Sequence, residues 1–258
     1  MGNLIWFNYK RTIKSKFAII LAAIMILGVG ILSIFLSTNK NIISEITNNN
    51  SNFLLTYVLL MFYYILIIFT GSILVTSIAS EKIQKTLDLL TYRIAPYKII
   101  MSKIYAVLAF LVTLFTIILF EFISINSFLD IINISGSINY SIVIKGVIIF
   151  SLGFLAQLYI YVFCAIGVKN TSQLQTAQFP AAIISFIIFI IGIYSLVYQN
   201  TPIIKILSYL PVTSAFIVVK GIIEDKITGF YMSYFILTNV LFIIFCNRIV
   251  NKYIKKRY

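Results

Sequence analysis

The chain contains no histidine and only seven acidic residues among its 258 positions. The lack of histidine excludes zinc proteases and enzymes that use an imidazole as general acid or base. No stretch has the glycine-rich pattern, ending in Lys and Ser or Thr, with which many proteins hold nucleotide phosphates. We therefore expect that the chain is not an enzyme, holds no metal, and binds neither ATP nor another cofactor on its own.

Cysteine is almost as scarce, because Cys164 and Cys246 are the two in the whole sequence. Both fall inside apolar runs, where a cysteine usually packs as a small apolar side chain. Neither a disulfide nor a pair of metal ligands is expected.

Charged residues make up 10% of the chain, whereas 61% of its residues are hydrophobic. Soluble domains carry about 25% charged residues, so this composition indicates a membrane protein. The runs without charge are long enough to cross about 30 Å of hydrocarbon as helices. They predict an all-α membrane protein with a single transmembrane domain over residues 1–258 and six spans at about 17–36, 53–79, 104–124, 144–168, 178–198 and 229–249.

Lys and Arg are distributed unevenly between the two ends of these spans. Fifteen of the 20 fall at the N-terminus, between the second and third spans, after the fourth span and in the C-terminal tail. Because Lys and Arg accumulate on the cytoplasmic side, both termini are predicted to be cytoplasmic. A sequence rich in Ile, Asn and Lys is typical of an AT-rich bacterial genome, so we expect a multi-pass protein of a bacterial plasma membrane. The net charge of +13 then reflects topology, and no nucleic-acid partner is expected.

The N-terminus has a helical signal of its own. Trp6, Tyr9, Ile13 and Phe17 recur every three to four residues and would share one face of a helix. With lysines beside that face, the pattern is typical of a helix lying in the cytoplasmic interface and contacting membrane lipid. A basic anchor that only fixes the topology is the alternative.

Among the outer segments that connect spans, two have features that predict their structure. The Asn-rich stretch at 37–52 is predicted to be a turn and a connector. Residues 199–228 contain Pro202 and Pro211 beside apolar pieces that are too short to cross a membrane. We expect short outer re-entrant helices here, before the sixth span, with their backbone groups buried in protein.

Polar and aromatic side chains within the spans are candidates for a translocation pathway. Gln157 and Asn239 are mid-membrane amides that either bond to neighbouring helices or contact a substrate. Tyr63 and Tyr64 belong to an aromatic cluster that could line the path of an apolar cargo or face lipid.

Glu121 and Lys145 mark the outer ends of the third and fourth spans. They would pair across the outer rim as a structural contact or act as an outer gate during release of a substrate. In the fourth span, Gly146, Gly153 and Gly167 form a stripe along which a neighbouring helix could approach closely.

The segment 77–103 holds seven charged residues, more than the other long segments of the chain. Within it, Ser80 is a suitable N-cap, and the apolar residues at 83, 87, 90 and 94 share one face until Pro96. These features predict a cytoplasmic amphipathic helix at about 80–95. A loop that only fixed the topology would need positive charge alone, so the apolar stripe favours docking of a partner. A passive interfacial helix is the alternative.

Residues 79–108, ASEKIQKTLDLLTYRIAPYKIIMSKIYAVL, resemble the loop after the second span of ABC-2 type permeases, the membrane subunits of ATP-binding-cassette exporters. The family's loop reads Ser-Glu-Lys, then Gly-Thr-Leu-Glu, two leucines, a proline and a lysine; Lys85 stands where the family often has glycine. In that family the loop is a coupling helix that inserts into a cleft on the ATPase subunit. The resemblance implies coupling roles for Glu81, Lys82, Thr86, Leu87, Asp88 and Leu90.

The resemblance further implies a dimer with a second permease copy or a paralogue, and two ABC ATPase subunits that hold the ATP and Mg. Uncharged, aromatic spans would suit export of an apolar or amphipathic cargo such as a peptide toxin, an antibiotic or a drug. Export of sodium or of a lipid-linked substrate is an alternative within the family. An ion-coupled secondary carrier, which would need a membrane-buried carboxylate, and a membrane anchor or immunity protein are alternatives from other classes.

Overall fold

The structure of the chain is a computed structural model, and the residues that it describes are predominantly helical, with no strand among them. The described residues are 1–15, 18–20, 22–23, 27, 40–84, 94–129, 140–173, 176–198, 201–218, 221 and 227–255. Within them lie the α-helices α1 (Gly2–Ile13), α2 (Lys40–Ile83), α3 (Pro96–Leu129), α4 (Tyr140–Gly167), α5 (Phe179–Val197), α6 (Pro202–Leu207), α7 (Pro211–Ile217) and α8 (Gly229–Lys255). One turn of 3-10 helix, Thr171–Gln173, lies between α4 and α5.

Five of these helices contain a stretch that is long and apolar enough to cross a membrane. The stretches are Leu60–Ile83, Tyr97–Leu114, Lys145–Gly167, Phe179–Val197 and Gly229–Tyr253. The chain is therefore an all-helical membrane protein, and these stretches overlap the second to sixth predicted spans. The first predicted span, 17–36, lies mostly outside the described residues, so the count of six stays a prediction.

Two helix boundaries differ from those that the sequence predicts. The Asn-rich stretch at 37–52 is helical from Lys40 onward, as the first part of α2, instead of forming a turn. Asparagine costs a helix about 0.7 kcal/mol at most, so a short run of it does not end a helix that the following apolar segment propagates. Ser80 is not the N-cap of a separate helix, because it lies in the last turns of α2.

The rest of the predicted coupling helix falls between α2 and α3. Residues 85–93 lie outside the described residues, and Ile94 and Ala95, just before α3, are not helical. The coupling helix therefore stays a prediction over 85–93.

Helix α4 lies at the centre of the described bundle. It packs against α2, α5, α7 and α8, and more lightly against α3, while α1 packs along α3. Tyr159 and Tyr161 of α4 are among the largest fully buried side chains, together with Leu74 of α2 and Phe235 of α8. In lipid the hydrophobic effect no longer drives helices together, so close packing and hydrogen bonds between helices must hold such a bundle.

The short helices α6 and α7 begin at the two prolines before α8. Proline suits the first turn of a helix because the N–H that it lacks would have no helical partner there. The residues before the prolines, Thr201 and Leu210, are extended, as the proline ring requires. Their location on the outer side of the membrane stays a prediction.

Helix α7 is enclosed by the long helices. Its residues from Thr213 to Ile217 are buried, and it contacts α4, α5 and α8. At Gly153 of α4, an added Cβ would lie 2.2 Å from Ala215 Cβ; at Gly192 of α5, it would lie 3.0 Å from Phe216 Cβ. These glycines let α7 approach the bundle. A Cβ added at Gly167, which belongs to the same predicted stripe as Gly153, would have no described neighbour within 4 Å apart from the adjacent backbone.

Candidate functional site

Three charged side chains meet where α1, α2 and α3 come together. Glu81, in the last turn of α2, forms ion pairs with Arg11 of α1 and with Lys103 of α3. Lys103 Nζ lies 2.6 Å from Glu81 Oε2, and Arg11 Nη1 donates to Glu81 Oε1. Glu81 and Lys103 are buried, whereas the Arg11 side chain is 53% exposed. We refer to Arg11, Glu81 and Lys103 as the ion network.

The buried ammonium group of Lys103 has acceptors on several sides. Besides Glu81, it donates to the backbone oxygen of Ser77 over 2.7 Å and to Ser77 Oγ over 3.0 Å. An ammonium group has three donors; two of them bond to Ser77, and the Glu81 carboxylate pairs with the charge. A buried charge is costly unless it is paired and hydrogen-bonded, and the ion network meets both conditions for Lys103.

A hydrogen bond beside the ion network fixes α1 to α3. Asn8 Nδ2 donates to Ser102 Oγ over 2.8 Å, and both residues are buried. Trp6 and Phe7, in contrast, are more than half exposed. Helix α1 therefore turns a polar residue toward the protein and large apolar residues outward. A surface helix of a soluble protein has the opposite arrangement, whereas exposed apolar residues suit a helix that lies in a membrane interface.

Lys82 points to a different part of the bundle from its neighbour Glu81. Its ammonium group donates to the backbone oxygens of Ile166 and Val168 at the C-terminal end of α4. The last carbonyl groups of a helix lack partners within the helix and carry partial negative charge. Lys82 thus caps α4, while Glu81 holds α1 and α3.

The ion network and Lys82 together form the base of the connection between α2 and α3. Gln84, which is exposed, follows α2, and Ile94, which is half-buried, precedes α3. Of the predicted coupling positions, Glu81 and Lys82 are described, and both contact other helices of the same chain. The predicted positions Thr86, Leu87, Asp88 and Leu90 lie outside the described residues.

Tyr63 and Tyr64, two of the predicted pathway residues, pack against other aromatic rings. The Tyr63 ring lies 4.8 Å from the ring of Phe216 in α7, and its hydroxyl donates to the Phe150 backbone oxygen over 3.3 Å. Tyr64 stacks on Phe189 of α5 at 4.5 Å. Both tyrosines therefore join α2 to its neighbours.

Gln157, the third predicted pathway residue, connects three helices. Its Oε1 accepts a hydrogen bond from Ser185 Oγ of α5 at 3.4 Å, and its Nε2 lies 3.5 Å from the Val212 backbone oxygen of α7. Ser185 Oγ also lies 3.3 Å from the Tyr161 hydroxyl. Gln157, Ser185 and Tyr161 are all buried. The Gln157 amide thus bonds to neighbouring helices, which is one of the two roles predicted for it. Contact with a substrate stays a prediction.

Asn239, the fourth predicted pathway residue, is fully buried in α8. Its Nδ2 donates to the Phe235 backbone oxygen one turn earlier, over 2.9 Å. Among the described residues its Oδ1 has no hydrogen-bond partner. Its place in a pathway stays a prediction.

The predicted outer gate is described only in part. Lys145 lies near the start of α4 and is partly exposed, whereas for Glu121 the structure describes the backbone within α3 but not the side chain. A pairing of these two residues stays a prediction.

No protein-family model matches the chain, and no curated protein or solved structure matches it significantly. The described residues define a helical membrane protein with an ion network, in which Glu81 and Lys103 are buried, at the junction of α1, α2 and α3. We therefore infer the family of the chain from its own residues.

Proposed function

We propose that the chain is the transmembrane permease subunit of an ATP-binding-cassette exporter of the ABC-2 type. The observation that carries this proposal is the base of the α2–α3 connection, where the sequence resembles the family's coupling loop. Glu81 and Lys82 attach this base to α1, α3 and α4. A loop anchored in this way can pass a movement to several helices at once.

The anchoring gives the two described coupling positions a specific role. Because Glu81 and Lys82 bond within the chain, they position the connection, and the apolar stripe that includes Leu87 and Leu90 contacts the ATPase. Closure of two ATP-bound partner subunits then displaces the connection, and the ion network moves α1 and α3 with it. Nucleotide biases the permease toward one of two states, so transport follows a shift in their populations.

Aromatic residues at the two ends of the bundle support the proposal that it spans a bacterial plasma membrane. Trp6 and Tyr9 stack at 5.6 Å near the ion network's end of the bundle. Tyr194 and Tyr198 stack at 4.6 Å at the C-terminal end of α5. Tyr209, just after α6, packs 5.1 Å from the ring of Tyr234 in α8. Trp and Tyr concentrate at the two membrane–water interfaces. The excess of Lys and Arg, and not the aromatic residues, favours cytoplasmic termini.

The cargo that suits this chain is apolar or amphipathic, such as a peptide toxin, an antibiotic or a drug. The long described helices present exposed apolar side chains over much of their length, as for Ile187 in α5 and Leu241 in α8. A second copy of the chain, or a paralogue, facing such surfaces would enclose a path with few charges. Sodium or a lipid-linked substrate is the alternative cargo.

An ion-coupled secondary carrier is the second candidate function, and one specific observation favours it. Carriers retain buried carboxylates to bind or relay ions, and Glu81 is a buried carboxylate at the edge of a candidate span. Its position argues for the permease, because Glu81 is in the last turn of α2 and pairs with two cations. A carrier would transport its substrate in liposomes without an ATPase, whereas the permease would not.

Co-purification tests the proposed function. The tagged full-length chain, extracted from its host in mild detergent, should carry a stoichiometric protein with the phosphate-binding loop of an ATPase, identified by mass spectrometry. The Leu87→Asp/Leu90→Asp variant should lose this partner, because it puts charge on the docking stripe.

A matched control separates docking from a general effect of added charge. The Gln84→Asp/Tyr92→Asp variant adds the same charge at positions that a helix would hold off the stripe, and it should retain the ATPase. Absence of any ATPase with the wild-type chain, or retention by the Leu87→Asp/Leu90→Asp variant, would contradict the proposal.

A further inference from the structure

A cavity of about 260 Å³ lies between α1, α2 and α3, beside the ion network. Its polar part is lined by Arg11, Thr12 and Ser15 on one side and by Ser77, Ser80 and Lys103 on the other. Hydroxyl groups and cations thus surround a space at the end of the bundle that carries most of the Lys and Arg residues. Thr12, Ser15 and Ser80 donate their hydroxyl groups to backbone oxygens three or four residues earlier in the chain. The cations of this lining therefore favour a ligand with negative charge.

The charge of the cavity wall is positive after the internal pairs are counted. Lys103 neutralises Glu81 and donates to Ser77, so its charge is held in place. Arg11 bonds to Glu81 through Nη1, but a guanidinium carries five N–H donors in a planar fork. Since its side chain is 53% exposed, Arg11 can present further donors to a phosphate group. Planar, bidentate recognition of phosphate is a geometry that arginine favours.

The inner part of the cavity is apolar. Ile73 and Leu74 of α2 and Val107 of α3 line it. Ile73 precedes Ser80 by seven residues, which corresponds to about 10 Å along a helix. The lining therefore changes from polar to apolar along the helices, in the direction from the helix ends toward the middle of the candidate spans. A soluble phosphate would use only the polar part, whereas a lipid would use both.

The volume helps to decide the size of the ligand. Pockets for drug-sized molecules measure about 300–1,000 Å³, and this cavity of about 260 Å³ lies below that range. It suits a compact phosphate-containing group. Basic pockets between membrane helices on the cytoplasmic side are a known way to bind lipid headgroups.

We propose that this cavity binds the phosphate headgroup of an acidic phospholipid, with Arg11 as the phosphate ligand and the upper acyl chain against Ile73 and Val107. The site lies where α1 meets the bundle, so a bound lipid stabilises the contact between α1, α2 and α3. The proposal stands whether or not the chain pairs with an ATPase, because it depends only on the cavity and on the location of the chain in a membrane.

Native mass spectrometry of the full-length chain tests the proposal. The detergent-purified, delipidated protein is mixed with equal amounts of phosphatidylglycerol and phosphatidylcholine that have the same acyl chains, and the bound lipids are counted. The wild-type protein should retain phosphatidylglycerol in preference. Arg11→Gln should reduce this preference about tenfold, as expected for the loss of a charge-assisted hydrogen bond.

Two further variants keep the test informative. Lys14→Gln removes the same charge just after α1 at a residue that does not line the cavity, and it should leave the preference unchanged. Thr12→Leu keeps every charge but fills the polar part of the cavity, and it should reduce the preference even if Arg11→Gln fails to fold.

Equal binding of the two lipids by the wild-type protein would overturn the proposal. An equal loss in Arg11→Gln and Lys14→Gln would do so too, because it would indicate diffuse attraction to a basic surface. Displacement of phosphatidylglycerol by millimolar inorganic phosphate would overturn the assignment to a lipid, whereas retention of the lipid under that condition would support it.

Discussion

Lys103 Nζ lies 2.6 Å from Glu81 Oε2, and the two buried side chains join the end of α2 to the first turns of α3. In sequence the two residues lie on opposite sides of the connection that resembles a coupling loop. Their pairing brings the two ends of this connection together, and Arg11 adds α1 to the same junction. Both ends of the connection are therefore attached to the same junction of α1, α2 and α3.

Removal of one member of this pair should destabilise the protein strongly. Glu81→Gln leaves the Lys103 ammonium group buried without its carboxylate, and breaking a buried pair in this way costs about 3–5 kcal/mol. The melting temperature of the purified chain in detergent should fall. The double variant Glu81→Gln/Lys103→Met should lose less stability than the sum of the single variants, since it leaves no buried charge unpaired.

The exposed residue Lys98 provides the control for this prediction. Lys98→Met removes a lysine from the first turn of α3 and should leave the melting temperature nearly unchanged. Strict additivity of the Glu81 and Lys103 substitutions would show that the pair does not contribute as a unit.

The cap that Lys82 provides for α4 leads to a second prediction. Lys82→Met leaves the carbonyl groups of Ile166 and Val168 without this donor, which should cost about 1–3 kcal/mol. Hydrogen exchange should accelerate in the last turn of α4 and remain unchanged near its middle. Lys169→Met, at an exposed residue just beyond α4, should not change the exchange. Uniform acceleration along α4 would indicate global destabilisation instead of a lost cap.

The close approach of α7 to α4 predicts that Gly153 does not tolerate a side chain. Gly153→Ala would place a Cβ 2.2 Å from Ala215 Cβ, and overpacking of this kind costs about 1–3 kcal/mol. A Cβ added at Gly167, in the same helix, would have no described neighbour within 4 Å apart from the adjacent backbone, so Gly167→Ala should be neutral or slightly stabilising. Thermal unfolding of both variants in detergent measures the difference. Equal stability would mean that α7 does not pack on α4 as described.

Several features of the fold could be predicted from the sequence because one property determines them locally. A charge-free run of about 20 residues has few alternatives to a membrane helix, so the second to sixth spans coincide with described helices. Helix α1 and the two proline-initiated helices likewise follow from local periodicity and proline geometry. The boundary at Lys40 was missed because the Asn-rich stretch has low helix propensity, and a long apolar helix extends through it regardless.

The site was harder to predict, because its contacts join residues that are distant in the sequence. Glu81 is 70 residues from Arg11, and no local pattern identifies this partner. The sequence therefore predicts that the Glu81 side chain is exposed on a helix. In the structure it is buried and pairs with Arg11 and Lys103. Ser185 was missed for a related reason: a serine in a span often bonds to its own helix, and only packing shows its contact with Gln157.

The orientation in the membrane gives a fourth prediction. In a chain with Cys164→Ala and Cys246→Ala, a new cysteine at Lys98 (Lys98→Cys) should react with a membrane-impermeant maleimide only after the cells are permeabilised. A new cysteine at the exposed residue Tyr209 (Tyr209→Cys) should react in intact cells, because the excess of Lys and Arg places the other end of the bundle inside. The reverse pattern of labelling would contradict the predicted orientation.

The most direct test of the central claim is photo-crosslinking from the predicted docking stripe in living cells. A photo-reactive phenylalanine analogue at position 87 should form a covalent bond to a protein that contains the phosphate-binding loop of an ATPase, whereas the same analogue at position 209, at the opposite end of the bundle, should not. Crosslinks from position 87 to lipid alone, or to no ATPase, would contradict the assignment of the chain as an ABC permease.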